Sequence, residues 1–133
     1  MSMPARVVAN RLCDYVDELR DAKDSWRLRV VLHDFGHVWA QASVDVRPRL
    51  IADRPDSTGN RRWDAFLAAY AEHLAYHARV DAPEWVFEDE RYLSSWWIPL
   101  GELDTLRVEA IVHAPAAFEA HGILIARREL EVA

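Results

Sequence analysis

A chain of 133 residues, 51% of them hydrophobic, is sized for one domain with its own core and is too apolar to remain disordered. The formal charge of −6 lies in the second half, since residues 1 to 60 carry nine basic and nine acidic side chains and residues 61 to 133 carry seven and thirteen. An acidic half repels phosphate backbones, which disfavours direct nucleic-acid binding and suits a basic protein partner or solubility.

The single Cys13 rules out an intramolecular disulfide and a multi-cysteine zinc site. No stretch approaches the roughly 20 apolar residues of a membrane span, and "MSMPARVVAN" lacks the apolar run of a signal peptide. The expectation is a cytoplasmic protein with no membrane partner.

In chain order, Val8, Leu12, Tyr15, Val16 and Leu19 recur at helical spacing and predict a surface helix from Pro4 to about Ala22. Asp24 and Ser25 are candidate caps for a second helix, "WRLRVVLHDFGHVWAQA", with Leu28, Val31, Leu32, Phe35, Val38, Trp39 and Ala42 on one side. A connector follows, with Leu50 and Ile51 in a short helical turn and "RPDSTGN" as its loop. Asn60 then caps "RRWDAFLAAYAEHLAYHA", the central helix, whose core face is Trp63, Phe66, Leu67, Tyr70 and Leu74. "PEWVFEDERYLSSWWIPLGELD" predicts one or two short helices among turns, anchored by Trp85, Trp96 and Trp97. "LDTLRVEAIVHA" returns to helical spacing. "PAAFEAHG" reads as a short helix begun by proline and stopped by Gly122, followed by a short extended piece near 122–126 and a tail. The fold expected is all-α: a compact single-domain bundle of five or six helices, with 1–57 as an N-terminal helical part and 58–133 as the core and tail.

Two histidine pairs, His33 and His37 in "HDFGH" and His73 and His77 in "AEHLAYH", have the spacing by which one helix face can hold a metal. At about 100° per residue, the first pair falls opposite its helix's apolar side and the second at the edge of its stripe. Glu72 points away, because adjacent helical residues do not share a face. Glu also precedes His73, unlike the metalloprotease order in which it follows the first histidine. The reading is therefore no metal, no cofactor and no catalytic residue, with a metal site on His33, His37, His73 and His77 as the alternative. Asp14 and Asp17 beside Cys13 should raise its thiol pKa and blunt a nucleophile.

Six tryptophans are several times the ordinary share. "EWVFEDERYLSSWW" mixes them with acid, and neighbouring side chains of an irregular segment point different ways, so one of Trp96 and Trp97 should be the more exposed. Trp and Tyr dominate interface hot spots. Trp85, Glu88, Asp89, Glu90, Tyr92, Trp96 and Trp97 are thus the candidate contacts for a partner with a basic, partly apolar groove.

Taken together, "RRWDAFLAAYAEHLAYHARVDAPEWV", "RYLSSWW" and "HAPAAFEAHGILIARRELEVA" resemble a helical domain of small uncharacterised actinobacterial proteins. The domain is similar to the C-terminal part of helix-turn-helix regulators and to proteins of toxin–antitoxin-like gene pairs, over about residues 58 to 133. The resemblance implies an antitoxin-like or regulatory protein whose partner is another protein, such as a toxin encoded next to it, and it is compatible with a homo-oligomer. It transfers no functional residue. The first 57 residues lack a DNA-reading module, because "RDAKDS" joins their helices and the second has no dense basic face.

Overall fold

The computed structural model describes residues 10–99, 110–111 and 113–130. A 3-10 turn, Leu12–Tyr15, runs into α1 (Val16–Leu19), and Leu12, Tyr15, Val16 and Leu19 are all buried. The helix stops short of Ala22 because Arg20 turns extended and Asp21 takes a left-handed φ of 57°. The expected start at Pro4, and Val8, lie outside the described residues.

The second predicted helix is present but uneven. α2 (Asp24–Leu28) continues through a π-helical stretch, Arg29–Phe35, into α3 (Gly36–Gln41), with right-handed helical backbone at both junctions. Its N-cap is Lys23, and neither Asp24 nor Ser25 caps it. Asp24 has a different use: its Oδ1 accepts from the Trp63 indole at 2.9 Å and from Arg27 at 3.0 Å. α4 (Arg47–Ala52) takes Pro48 in its first turn and buries Leu50 and Ile51.

α5 (Arg61–Ala78) begins where expected, with the Asn60 side chain accepting from the backbone N–H groups of Arg62 and Trp63. The loop before it is tied down by Asp64, which accepts from Thr58 N at 2.7 Å, Thr58 Oγ1 at 2.8 Å and Ser57 Oγ at 2.7 Å. Trp63, Phe66, Leu67 and Tyr70 are fully buried as predicted, and Leu74 is partly buried. The predicted stripe was nonetheless too narrow, because Ala65, Ala68, Ala69, Ala71 and Ala75 are buried as well. A helix covered on several sides is a core helix, and alanines let its neighbours approach. α5 packs on α4, on the 3-10 turns Glu84–Phe87 and Asp89–Arg91, and on α6 (Ala116–Ala120). Phe66 centres the aromatic cluster, with ring centroids 4.8 Å from Trp63, 5.2 Å from Phe118 and 6.3 Å from Trp97.

After α6 the chain turns at Gly122, φ +87°, and makes an isolated parallel bridge between Trp97 and Ile123 where a short extended piece was expected. A 3-10 turn, Arg127–Leu130, ends the described chain. The helix expected over "LDTLRVEAIVHA" lies mostly outside the described residues. The fold is all-α, with no strand among the described residues, and no helix among them is long and apolar enough to cross a membrane.

Candidate functional site

The predicted contact segment is divided between core and surface by local geometry. Trp85 is 6% exposed, its indole N–H donates to the Ile51 carbonyl at 2.9 Å, and the Arg91 guanidinium lies 4.8 Å from its ring centroid. Trp97 is 7% exposed and packs edge-on against Trp63 at 5.3 Å. Both rings are therefore core and leave little surface for a partner. Trp96, by contrast, is 62% exposed, as the opposed directions of neighbouring side chains required.

The acids divide in the same way. Glu88 Oε2 accepts from Arg54 at 2.7 Å and Oε1 from Arg91 at 3.2 Å. The Arg54 hydrogen bond, helped by Arg91, holds the Glu88 carboxyl below its ordinary range. Asp89 and Glu90 are exposed. Tyr92 stacks on His121 at 4.2 Å, and its hydroxyl is pushed up chiefly by burial, then by Glu72 and Asp89. The surface members of the predicted set are thus Asp89, Glu90 and Trp96, joined by Phe87, which the sequence reading passed over and which is 53% exposed.

Trp96 borders a cleft of about 280 Å³ with Ser94, Ser95, Glu119 and Ala120. A second concavity, a groove of about 670 Å³, is lined by Glu72, His73, Tyr76, His77, Pro115, Ala116, Ala117, Ala120 and Arg127. Ala120 borders both.

Glu72, in the wall of that groove, is hydrogen-bonded to a buried histidine that the sequence reading did not single out. His121 is fully buried; its Nδ1 lies 2.7 Å from the Arg91 carbonyl and its Nε2 2.8 Å from Glu72 Oε1. A carbonyl can only accept, so Nδ1 carries a hydrogen and donates it. One proton then sits between Nε2 and Oε1, either on an imidazolium facing a carboxylate or on a carboxylic acid facing a neutral ring. Glu72, expected to point away from the apolar stripe, instead lines the same groove as His73 and His77 and reaches the buried His121. Neither the periodicity of α5 nor that of "PAAFEAHG" could name a partner 49 residues away. The only available signal was a histidine beside a helix-ending glycine.

The paired histidines adopt the predicted spacing. His33 and His37 have centroids 4.5 Å apart, with His33 exposed, and His73 and His77 are likewise 4.5 Å apart. His73 is only 9% exposed, and burial, then His77 and Arg127, lower its pKa from 6.5 to about 4. The two pairs are not brought to one site, since no group of three or more His, Cys, Asp or Glu placed to hold a metal occurs among the described residues. Cys13 has its thiol pKa raised first by desolvation and next by Asp14, without the expected part for Asp17.

No family model, no curated protein and no solved structure matches this chain.

Proposed function

We propose that this chain is a cytoplasmic protein-interaction module, an antitoxin-like neutralising or regulatory partner of another protein. Trp96 carries the reading. A large aromatic ring left in solvent next to a polar rim is the usual anchor of an interface hot spot. Its backbone is also fixed in advance: Trp97 N donates to the Gly122 carbonyl at 3.0 Å, and Leu124 N donates to the Trp97 carbonyl at 2.9 Å. A ring on a fixed backbone loses less entropy on binding than one on a free loop. Glu119 at the cleft and the acidic excess of the second half suit a basic, partly apolar partner, such as a toxin encoded alongside.

The test is titration of the co-expressed product of the neighbouring gene with wild type, Trp96→Ala and the double reversal of Asp89 and Glu90 to Lys. Loss of a hot-spot tryptophan should weaken binding by about 30-fold or more at unchanged melting temperature. Trp97→Ala is the contrast, because removing a core ring should destabilise the fold by about 3–5 kcal/mol. Equal affinity of wild type and Trp96→Ala would remove this surface from the reading.

The second reading is a metal-binding protein using His33, His37, His73 and His77, supported by the two imidazole pairs. Each pair would need water or a partner's side chain to complete an ion's coordination. Elemental analysis of untagged protein decides it, with less than about a tenth of an equivalent of metal counting against it.

A further inference from the structure

We propose that the groove between α5 and α6 binds a small organic monocarboxylate with an apolar body. The unmatched charge in its wall, among the described residues, is positive. Glu72, the acid of that wall, shares a proton with the fully buried His121, so the pair carries no net charge whichever side the proton occupies. Glu129 lies 3.5 Å from Arg128, and Glu119 borders the Trp96 cleft instead. Arg127 is exposed, lines the groove and has no ion-pair or hydrogen-bond partner among the described residues. A guanidinium recognises a carboxylate through paired N–H donors.

A second polar group opens into the same groove. His73 is 9% exposed, and neither of its ring nitrogens has a hydrogen-bond partner among the described residues. No side-chain nitrogen or oxygen among those residues is both sealed from solvent and unpaired, so the nitrogens reach the surface that the ring lines, which is this groove. Burial first, then His77 and Arg127, keep the ring neutral near pH 7, and a neutral imidazole has one N–H to give a carboxylate oxygen. The rest of the wall, Pro115, Ala116, Ala117 and Ala120, is apolar, and about 670 Å³ suits a small ligand. An ammonium-bearing ligand would face Arg127 with no free carboxylate to meet it, because Glu72 is already matched by His121. A neutral apolar ligand would cover the guanidinium and the His73 ring without pairing either.

The test is an NMR titration of the full chain with isocaproate, with its amide and with acetate. The amide keeps the body and loses the charge, whereas acetate keeps the charge and loses the body. Saturable shifts at His73, His77 and Ala120 are expected with isocaproate at roughly 1–10 mM, the affinity range of so small a ligand. The amide and acetate should each bind about fivefold or more weakly. Arg127→Gln should reduce isocaproate to the level of the amide. His73→Leu, which fills the same space without a donor, should weaken isocaproate about threefold or more. If His73→Leu disturbs the fold, the exposed Arg127→Gln decides alone. Absence of saturable shifts, shifts confined to other regions, either control binding as tightly as isocaproate, or unchanged binding by Arg127→Gln or by a folded His73→Leu would each overturn the proposal.

Discussion

Lowering the pH from about 7.5 to about 4.5 should remove about 2–3 kcal/mol of stability through His73 alone. The ring sits on α5, nearly closed to water, edge-on to Phe118 at 5.7 Å. Burial there penalises the imidazolium, and His77 and Arg127 add like-charge repulsion, so the folded pKa falls from 6.5 to about 4. The sign follows from which state holds the proton more tightly. The unfolded chain protonates first, so the full stability is present above pH 6.5 and is lost as the pH falls towards 4. At about 1.4 kcal/mol per pH unit the ceiling is about 3 kcal/mol, most of it expressed by about pH 4.5. Acid acts on other groups too, including Glu88, whose pKa is also lowered. The measurement is therefore a difference: urea unfolding across this range for wild type and His73→Leu, which fills the same space without titrating. Over that range wild type should lose about 2–3 kcal/mol more than His73→Leu loses. Parallel pH curves, or a His73 imidazole titrating near 6.5 by NMR, would refute the assignment of this loss to His73.

Two further outcomes follow from packing. Gly122→Ala should destabilise the protein by about 2 kcal/mol or more, since an L-residue is strained at φ +87° and its Cβ would stand 3.0 Å from Leu93 Cβ; a thermal melt reads it. Arg91→Met should cost about 3 kcal/mol in chemical unfolding, because Nη2 donates to the Pro55 carbonyl at 3.0 Å, Nη1 to the Asp64 carbonyl at 3.1 Å, and Glu88 loses a partner. Stability within about 0.5 kcal/mol of wild type, the usual range for surface changes, would show that water replaces these bonds.

Local pattern located the elements because helix signals are local. Asn60 as a cap, the buried face from Trp63 to Tyr70 and the stop at Gly122 each depend on a few neighbouring residues. The same rules fail where a side chain serves a distant element. Asp24 looked like a cap, yet it holds the Trp63 indole 39 residues on. Trp85 and Trp97 are enclosed by the fold while Trp96 is not, and composition cannot say which aromatic ring the fold encloses. Arg91, in the middle of the acidic segment, is 3% exposed and donates to backbone carbonyls from two other segments, which no local pattern signals. Alternation alone separated Trp96 from Trp97 correctly, because it depends only on backbone direction.

The polar interior explains why the groove and the Trp96 cleft share a wall. His121 connects three elements: Nε2 meets Glu72 on α5, Nδ1 meets the carbonyl of Arg91, and its own carbonyl accepts from Leu93 N at 3.1 Å. One residue later, Gly122 accepts from Trp97 N and contacts Leu93 too closely to admit a side chain. α6, only five residues long, would not be stable as an isolated helix. Its position is fixed by Phe118 in the aromatic cluster and by these bonds at its C-terminal end. Glu72 is thus linked through His121 to the backbone that carries Trp96. That chain of contacts runs from the groove to the exposed ring through buried, hydrogen-bonded groups, where low dielectric makes each bond costly to lose.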